Sequence, residues 1–177
     1  MKEFTKSLGK YLFNKYAMNF PSRRVRKFFA KKFCKFIGDN VFIGIGVQLR
    51  GAPKNITIGH HTIINPKIIL DGRKPINIGN NVDIGENTII WTVEHDPNDN
   101  NHGVKSSSVT IEDYVWIATN VTILPGITIG KGSVIACNSV VTKDIAPMTI
   151  AGGIPAKKIA TRENNLEYIL NYNPRFL

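Results

Sequence analysis

A repeat of six residues runs through most of this 177-residue chain and constrains its fold more than any other feature. An aliphatic residue opens each hexad without interruption from Ile111 to Val141, in IEDYVW IATNVT ILPGIT IGKGSV IACNSV. Gly, Ala or Asn usually follows it, and the fifth position carries Val, Thr, Ser or Ile. Hexads of the same kind start at Ile37, Ile58 and Ile78. Neither the period of two of a strand nor the 3.6 of a helix describes this pattern.

The hexads predict very short strands that meet at tight corners. One aliphatic side chain per strand points inward, a small or β-branched residue fits each corner, and Gly, Asn or Asp accepts the unusual backbone angles there. Neighbouring coils then pair their backbones and stack their aliphatic side chains into one apolar column. The sequence therefore predicts an all-β solenoid, and the period alone leaves its handedness open.

Residues 1–36 precede the repeat and form a basic arm. They carry eleven Lys or Arg and one acid, Glu3, which accounts for the whole net charge of +10. The sequence RRVRKFFAKKFCKF at 23–36 predicts a helix with one apolar face, formed by Val25, Phe29, Phe33 and Phe36. We expect this face to pack on the main body, and residues 3–16 to form a second helix. The alternative interpretation is a basic amphipathic surface that contacts anionic lipid at a membrane.

Length and composition exclude several other classes of protein. The chain suits a single domain, and the absence of a long apolar stretch predicts a cytoplasmic protein without a signal peptide. Cys34 and Cys137 lie outside any zinc or CxxC spacing, so both are expected to be buried apolar residues. No recognition helix or aromatic RNA-binding strand accompanies the basic arm, so a nucleic-acid partner is not indicated.

The hexads are similar to those of the hexapeptide-repeat acyltransferases. The similarity is carried by EHDPNDNNHG at 94–103, by VWIATNVTILPGITIGKGSVIACNSVVTKDI at 115–145 and by AGGIPAKKI at 151–159. Between about Ile56 and Arg162 the chain resembles the galactoside, maltose and surface-polysaccharide O-acetyltransferase branch. This resemblance implies a left-handed parallel β-helix, a homotrimer with active sites between neighbouring subunits, acetyl-coenzyme A as the acyl donor and no metal.

The expected organisation has three parts. The short basic α-helical arm at 1–36 precedes the β-helix at 37–160, which carries a catalytic loop at 91–109. A short helical tail is expected at 161–177. The loop, WTVEHDPNDNNHGVKSSSV, is where the hexad register breaks, and long insertions in repeat arrays are frequent sites of function.

His95 in this loop matches the family's catalytic histidine. A neutral imidazole can accept a proton from a hydroxyl at pH 7, so His95 is the predicted general base. Glu94 and Asp96 are candidates to orient its ring, whereas His102 is interpreted as part of the loop structure or as a minor substrate contact.

The resemblance also assigns binding residues. For the acceptor, Asn65 and Asp71 match family residues that hydrogen-bond the sugar, and both also fit a purely structural role at corners of the coil. For the donor, the resemblance points to Trp116, Thr119, Cys137, Thr142, Lys143 and Lys157. Lys157 would contact the phosphates of the coenzyme, where Lys158 and Arg162 could share its role. Ala160 stands where the family has a second basic residue.

Other functions remain open at this point. A γ-class carbonic anhydrase needs three histidines around a metal, and the spacing of His95 from His102 and of His60 from His61 does not match that arrangement. Within the acyltransferases, the acceptor could instead be serine or an antibiotic. A non-enzymatic β-helix subunit that scaffolds a complex is the alternative from another class.

Overall fold

The protein is a parallel β-solenoid, as the hexads predict. Two helices precede the solenoid. The computed structural model describes residues 2–172 and 174, so Met1, Asn173 and 175–177 lie outside the described residues. Helix α1 spans Lys2–Leu12 and continues into a π-helical turn at Phe13–Ala17, and helix α2 spans Arg23–Phe33. No helix in the described part of the chain is both long and apolar enough to cross a bilayer.

The strands of the described residues, in chain order, are β1 Phe36–Ile37, β2 Phe42–Ile43, β3 Gln48–Arg50, β4 Ile56–Ile58, β5 Ile63–Ile64, β6 Ile69–Asp71, β7 Ile76–Ile78, β8 Asp83–Ile84, β9 Ile89–Ile90, β10 Val93–His95, β11 Val104–Ser106, β12 Val109–Ile111, β13 Trp116–Ile117, β14 Thr122–Ile123, β15 Thr128–Ile129, β16 Val134–Ile135, β17 Val140–Val141, β18 Thr149–Gly153 and β19 Ala156–Thr161. A 3₁₀ turn at Pro53–Asn55 precedes β4.

The strands build three faces. Sheet 1 contains β1, β4, β7, β12 and β15, and sheet 3 contains β3, β6, β9, β14 and β17. Sheet 2 contains β2, β5, β8, β13 and β16, and it ends in the hairpin of β18 and β19. Strands one coil apart pair in parallel, so the aliphatic residues that open the hexads stack into fully buried columns. One such column in sheet 2 consists of Ile64, Ile84, Ile117 and Ile135.

The corners use the residues that the hexads predict. Asn120 and Asn138 adopt positive φ angles of 60° and 56°, and the Nδ2 of Asn120 donates to the Oδ1 of Asn138 one coil away. Gly85 lies so close to the next coil that a Cβ atom would sit 2.6 Å from the carbonyl carbon of Ala118. Asparagine tolerates the left-handed conformation, and glycine allows this close approach of two backbones.

The helical arm covers the open end of the first coils, with a different face inward than expected. Arg26 is fully buried: its Nε donates to the carbonyl of Ile43 at 2.8 Å, and its Nη1 donates to the carbonyls of Phe20 and Pro21. Ala30 packs beside it, while Phe33 turns toward Phe13 of the π-helical turn. The buried carbonyl groups at the end of the solenoid need hydrogen-bond donors, and arginine supplies them where phenylalanine cannot.

The C-terminal tail is extended, so the expectation of a helical tail is wrong for its described residues. Residues 163–172 contain no helix, and Leu166, Tyr168 and Leu170 alternate with exposed neighbours along a corner of the solenoid. Leu170 shows why: its N–H donates to the side-chain oxygen of Asn81 at 3.0 Å. An extended segment can follow the stacked corners over several coils, which a helix with its internally paired backbone cannot.

Candidate active site

The loop at 91–109 forms a hairpin that stands out from the corner between sheets 3 and 1. Strand β10 pairs antiparallel with β11, and His95 lies opposite Val104. An ion pair between the Nζ of Lys105 and Oδ2 of Asp96, at 2.9 Å, joins the two strands. The predicted catalytic loop therefore presents His95 on an ordered strand beside the solenoid.

The ring of His95 is held by the loop itself. Its Nδ1 lies 3.0 Å from the carbonyl oxygen of His102, and the two imidazoles stack with their centroids 3.8 Å apart. Because a carbonyl only accepts, Nδ1 carries the hydrogen and the lone pair is on Nε2. Asp96 does not orient the ring: its carboxylate accepts from the N–H of Asn98 and from Lys105, which together lower its pKa.

A buried cluster fastens the start of the hairpin. Asp71 is 1% exposed and accepts hydrogen bonds from the Nε and Nη2 of Arg73 at 2.8 and 2.9 Å. Its Oδ2 also accepts from the backbone N–H of Thr92, and its backbone carbonyl accepts from the hydroxyl of Thr92 at 2.7 Å. Burial raises the pKa of Asp71. The hydrogen bonds from Arg73 and Thr92 lower it by more than burial raises it, so the pKa lies below its ordinary value. Arg73 also reaches the carbonyl of Val93 at 3.4 Å.

This arrangement shows Asp71 as a residue that holds the loop, and the exposed group beside it is Arg73. The predicted contact between Asp71 and an acceptor stays a prediction. Sequence reasoning missed Arg73 and Thr92, although the spacing of two between Asp71 and Arg73 allows this ion pair within a turn.

Asn65 lies at the other edge of sheet 3, at its corner with sheet 2. Its Nδ2 donates to Oδ1 of Asp83 and to the carbonyl of Ile84, both at 2.9 Å. Burial raises the pKa of Asp83, and the hydrogen bond from Asn65 offsets part of that rise. Within one chain, Asn65 and His95 thus occupy different corners of the solenoid.

Four of the predicted donor residues lie along the two edges of sheet 3, and Trp116 lies on sheet 2. Trp116 is 49% exposed on the outer side of sheet 2, paired in register with Asp83. Thr119 and Cys137 are exposed at the same corner as Asn65, whereas Thr142 and Lys143 are exposed at the corner that carries the hairpin. The structure therefore places Trp116, Thr119 and Cys137 near one another, and Thr142 and Lys143 in a second group.

The two cysteines differ in burial. Cys34 is buried, as expected, and burial raises the pKa of its thiol to about 12. Cys137 is exposed, so the expectation that it is a buried apolar residue is wrong. The hexad pattern explains the difference, because Cys137 follows the inward Ile135 by two positions and so falls at a corner.

The basic residues near the C-terminus differ in whether their side chains are engaged by the protein. Lys157 and Lys158 are exposed on β19 of the terminal hairpin. Arg162 is engaged, because its Nη1 donates to the carbonyls of Tyr114 and Gly132 at 2.9 Å. The structure leaves the two lysines available to a ligand and gives Arg162 a role in fastening the tail.

Over residues 2–172 and 174, no group of three or more His, Cys, Asp and Glu side chains could hold a metal ion. His60 and His61 have separate structural contacts: His60 Nδ1 accepts from the N–H of Asp39, and the Nδ1 of His61 lies 3.3 Å from the carbonyl of Leu170.

Comparison with known proteins matches this geometry to a family. Residues 108–143 match the family model described as bacterial transferase hexapeptide (six repeats). The chain is 34% identical over 146 residues to the galactoside O-acetyltransferase of Lactococcus lactis, which covers 81% of this chain and 70% of that protein. The chain belongs to the hexapeptide-repeat acetyltransferases. Over 92 residues it is also 49% identical to a Schizosaccharomyces pombe protein named as an acetyltransferase, across 50% of this chain and 44% of that protein.

Solved structures agree with this family. A hexapeptide-repeat acetyltransferase from Vibrio cholerae, solved with acetyl coenzyme A, superposes with a TM-score of 0.79 and 32% identity over 88% of this chain and 87% of that one. A maltose O-acetyltransferase from Clostridium difficile superposes with a TM-score of 0.77 and 34% identity over 92% of this chain and 86% of that one. The predicted family and the predicted β-solenoid with its helical arm are confirmed.

Proposed function

We propose that this protein transfers the acetyl group of acetyl-coenzyme A to a hydroxyl of a sugar or of a surface-polysaccharide precursor, with His95 as general base. The observation that carries the proposal is the hydrogen bond from the Nδ1 of His95 to the carbonyl of His102, which leaves Nε2 free to accept a proton. The family supports the donor and the kind of acceptor, since relatives include a galactoside and a maltose O-acetyltransferase and a complex with acetyl coenzyme A.

The proposed reaction is a direct transfer. The acceptor hydroxyl gives its proton to Nε2 of His95 while its oxygen forms a bond to the acetyl carbonyl carbon. The carbon–sulfur bond of the thioester then breaks, and the thiolate takes the proton from the imidazolium. His102 favours this route because its carbonyl accepts from the imidazole in both charge states and so keeps the ring in place.

The coenzyme would lie against the exposed residues of sheets 2 and 3, with Trp116 beside its pantetheine arm. We expect Trp116→Ala to weaken coenzyme A binding about tenfold, because an aromatic side chain buries a large apolar area against a ligand. Isothermal titration calorimetry measures this change. Phe28→Ala, which removes another exposed aromatic ring, is the matched control and should alter the affinity less than twofold. Equal affinities for Trp116→Ala and the wild type would remove Trp116 from the donor site.

We also propose a homotrimer with active sites between subunits. Asn65 and His95 lie at different corners of one solenoid, so a site that uses both needs the Asn65 corner of one chain beside the His95 corner of another. Light scattering during size-exclusion chromatography should therefore give three times the mass of the chain. A monomeric mass together with full activity would contradict the shared site.

The first test of the whole proposal is a calorimetric titration with coenzyme A, paired with a thiol-release assay. The assay uses acetyl-coenzyme A with galactosides, maltose, nucleotide sugars, serine and chloramphenicol as acceptors. Release that depends on a sugar supports the proposal, whereas release that depends on serine or on the antibiotic moves the acceptor to the alternative classes. Absence of coenzyme binding would favour a non-enzymatic scaffold. Contact of the basic arm with a membrane is likewise a proposal.

A further inference from the structure

A cleft between the helical arm and the first coils has a strongly basic lining. It has a volume of about 690 Å³, and its polar lining consists mainly of Lys10, Asn14, Lys15, Gln48, Arg50 and Lys67. No carboxylate is among the described residues that line this cleft, and no Asp or Glu occurs in the sequence between Glu3 and Asp39. The four cations among these residues suit an anion with several oxygen atoms, such as a phosphate or diphosphate. The side chain of Asn14 is already bonded to the backbone of Leu49, and Oε1 of Gln48 accepts from Arg50.

Lys67 lies at a corner of the coil where the backbone adopts a positive φ. Lys67 has φ +59°, and the equivalent corners of the other coils carry Gly46, Asn87, Asn120 and Asn138, all with positive φ. Glycine and asparagine adopt this conformation more easily than lysine does. The backbone thus favours Gly or Asn at this corner, and a lysine there adds a cation to the cleft.

The basic cleft leads toward His95. Arg50 pairs in register with Asp71 on the adjacent strand of sheet 3, and Trp91 directly follows the next strand, β9. Arg50 and Trp91 therefore lie two strand spacings apart, about 10 Å. The guanidinium of Arg50 lies 5.7 Å from the centre of the Trp91 ring, and Trp91 opens the loop that carries His95. A phosphate in the cleft would therefore place an attached sugar near the predicted general base.

An apolar cleft adjoins the basic one. It has a volume of about 470 Å³, shares Lys10 with the basic cleft, and is lined mainly by Gly9, Phe13, Phe33 and Leu49. A second apolar groove of about 580 Å³ between α1 and α2 also contains Gly9, Phe13 and Phe33. Phe33 is 44% exposed, and Leu12, Tyr16 and Phe20 in the same groove are also exposed, so the arm presents a contiguous apolar patch of the kind that marks a contact site.

Gly9 lines both apolar clefts. It lies within α1, where glycine disfavours the helix, yet a Cβ atom at Gly9 would meet no other atom within 4 Å. No packing contact in the described residues therefore requires glycine at this position. A side chain there would project into open space beside the apolar clefts.

We propose that the acceptor is a glycan carried on a lipid phosphate, with its phosphate in the basic cleft, its hydrocarbon chain in the apolar clefts of the arm, and its sugar directed to His95. The inference rests on the proposed function for the role of that sugar. The inference is supported by the adjacency of a basic cleft, an apolar cleft and the hairpin that carries His95. A lipid-linked acceptor would also bring the basic arm to a membrane.

The test uses farnesyl diphosphate as a probe, with inorganic diphosphate and UDP-glucose for comparison, in calorimetric titrations of the full-length protein without acetyl-coenzyme A. We expect farnesyl diphosphate to bind at least tenfold more tightly than either comparison ligand. Lys67→Asn should weaken farnesyl diphosphate and inorganic diphosphate alike by about tenfold, because it removes a charge-assisted contact. The fold should be retained, since asparagine suits this corner. Lys32→Gln, on an exposed face of α2 outside the clefts, is the control for loss of charge and should change neither affinity.

Gly9→Leu tests the apolar part. It should fill the cleft without disturbing the helix, and it should lower the affinity for farnesyl diphosphate to that for inorganic diphosphate. Equal binding of UDP-glucose and farnesyl diphosphate would overturn the lipid assignment, and insensitivity of both phosphates to Lys67→Asn would overturn the anion site. A changed oligomeric mass in Gly9→Leu would instead identify the groove as a contact between copies of the chain. Because these titrations require no catalysis, a failure here is distinguishable from a failure of the acetyltransferase proposal.

Discussion

His95→Ala should lower the rate of acetyl transfer by about 10²- to 10⁴-fold, the range expected when a general base is removed. The affinity for coenzyme A should remain nearly unchanged, because the coenzyme is proposed to lie along the solenoid and not on the hairpin. Thiol release at saturating acetyl-coenzyme A measures the rate, and calorimetric titration with coenzyme A measures the affinity. A fall in kcat with an unchanged coenzyme Kd is the result that assigns the role.

His102 provides a matched control. His102→Ala removes the ring that stacks on His95 but keeps the backbone carbonyl that accepts from Nδ1. We expect this variant to lose less than about tenfold in rate, the effect of a less well positioned but still intact base. Full activity of His95→Ala, or equal losses for both variants, would show that the imidazole of His95 is not the base.

The fold was predictable because the inward position of each short strand is nearly always isoleucine or valine. Ile64, Ile84, Ile117 and Ile135 stack in one column, and each is the first residue of a hexad. A six-residue period has no alternative in helices or ordinary sheets. The position of His95 was predictable for the same reason, since a break in so regular a register marks a loop.

The arm and the tail were harder to predict because their partners are distant in sequence. Arg26 resembles the exposed basic residues around it, yet it is buried because the end of the solenoid presents the carbonyl of Ile43. The tail carries no clean period of two, because Ile169 between Tyr168 and Leu170 interrupts the alternation of apolar and polar residues that indicates an extended segment.

Parts of the site depended on backbone geometry that no side-chain pattern encodes. The group that orients His95 is the carbonyl of His102, and any residue at that position would supply it. The ion pair of Asp71 with Arg73 depends on the turn after β6, which also buries the carboxylate against Thr92. The resemblance singled out Asp71 as an acceptor contact, which stays a prediction, but the sequence does not show that this carboxylate is enclosed by Arg73 and Thr92.

Asp71→Asn should destabilise the protein by about 2 kcal/mol, because an amide cannot accept from Arg73 and Thr92 together and leaves a buried donor unsatisfied. The hairpin that carries His95 begins at Thr92, so we expect its base to loosen and the rate of acetyl transfer to fall. Chemical denaturation measures the free energy of unfolding, and the thiol-release assay measures the rate. The conservative substitution keeps the size of the side chain, so a cavity does not contribute.

The pH dependence of this loss identifies the carboxylate as its source. The pKa of Asp71 lies below its ordinary value of 3.8 in the folded protein, so its ionised form stabilises the fold. The stability difference between wild type and Asp71→Asn should be complete above pH 3.8, and should shrink as the pH falls below that value. Asp39→Asn is the control, since Asp39 is exposed and its ion pair with Lys31 spans 3.8 Å. It should lose less than about 0.5 kcal/mol, and a similar loss in both variants would contradict the buried role of Asp71.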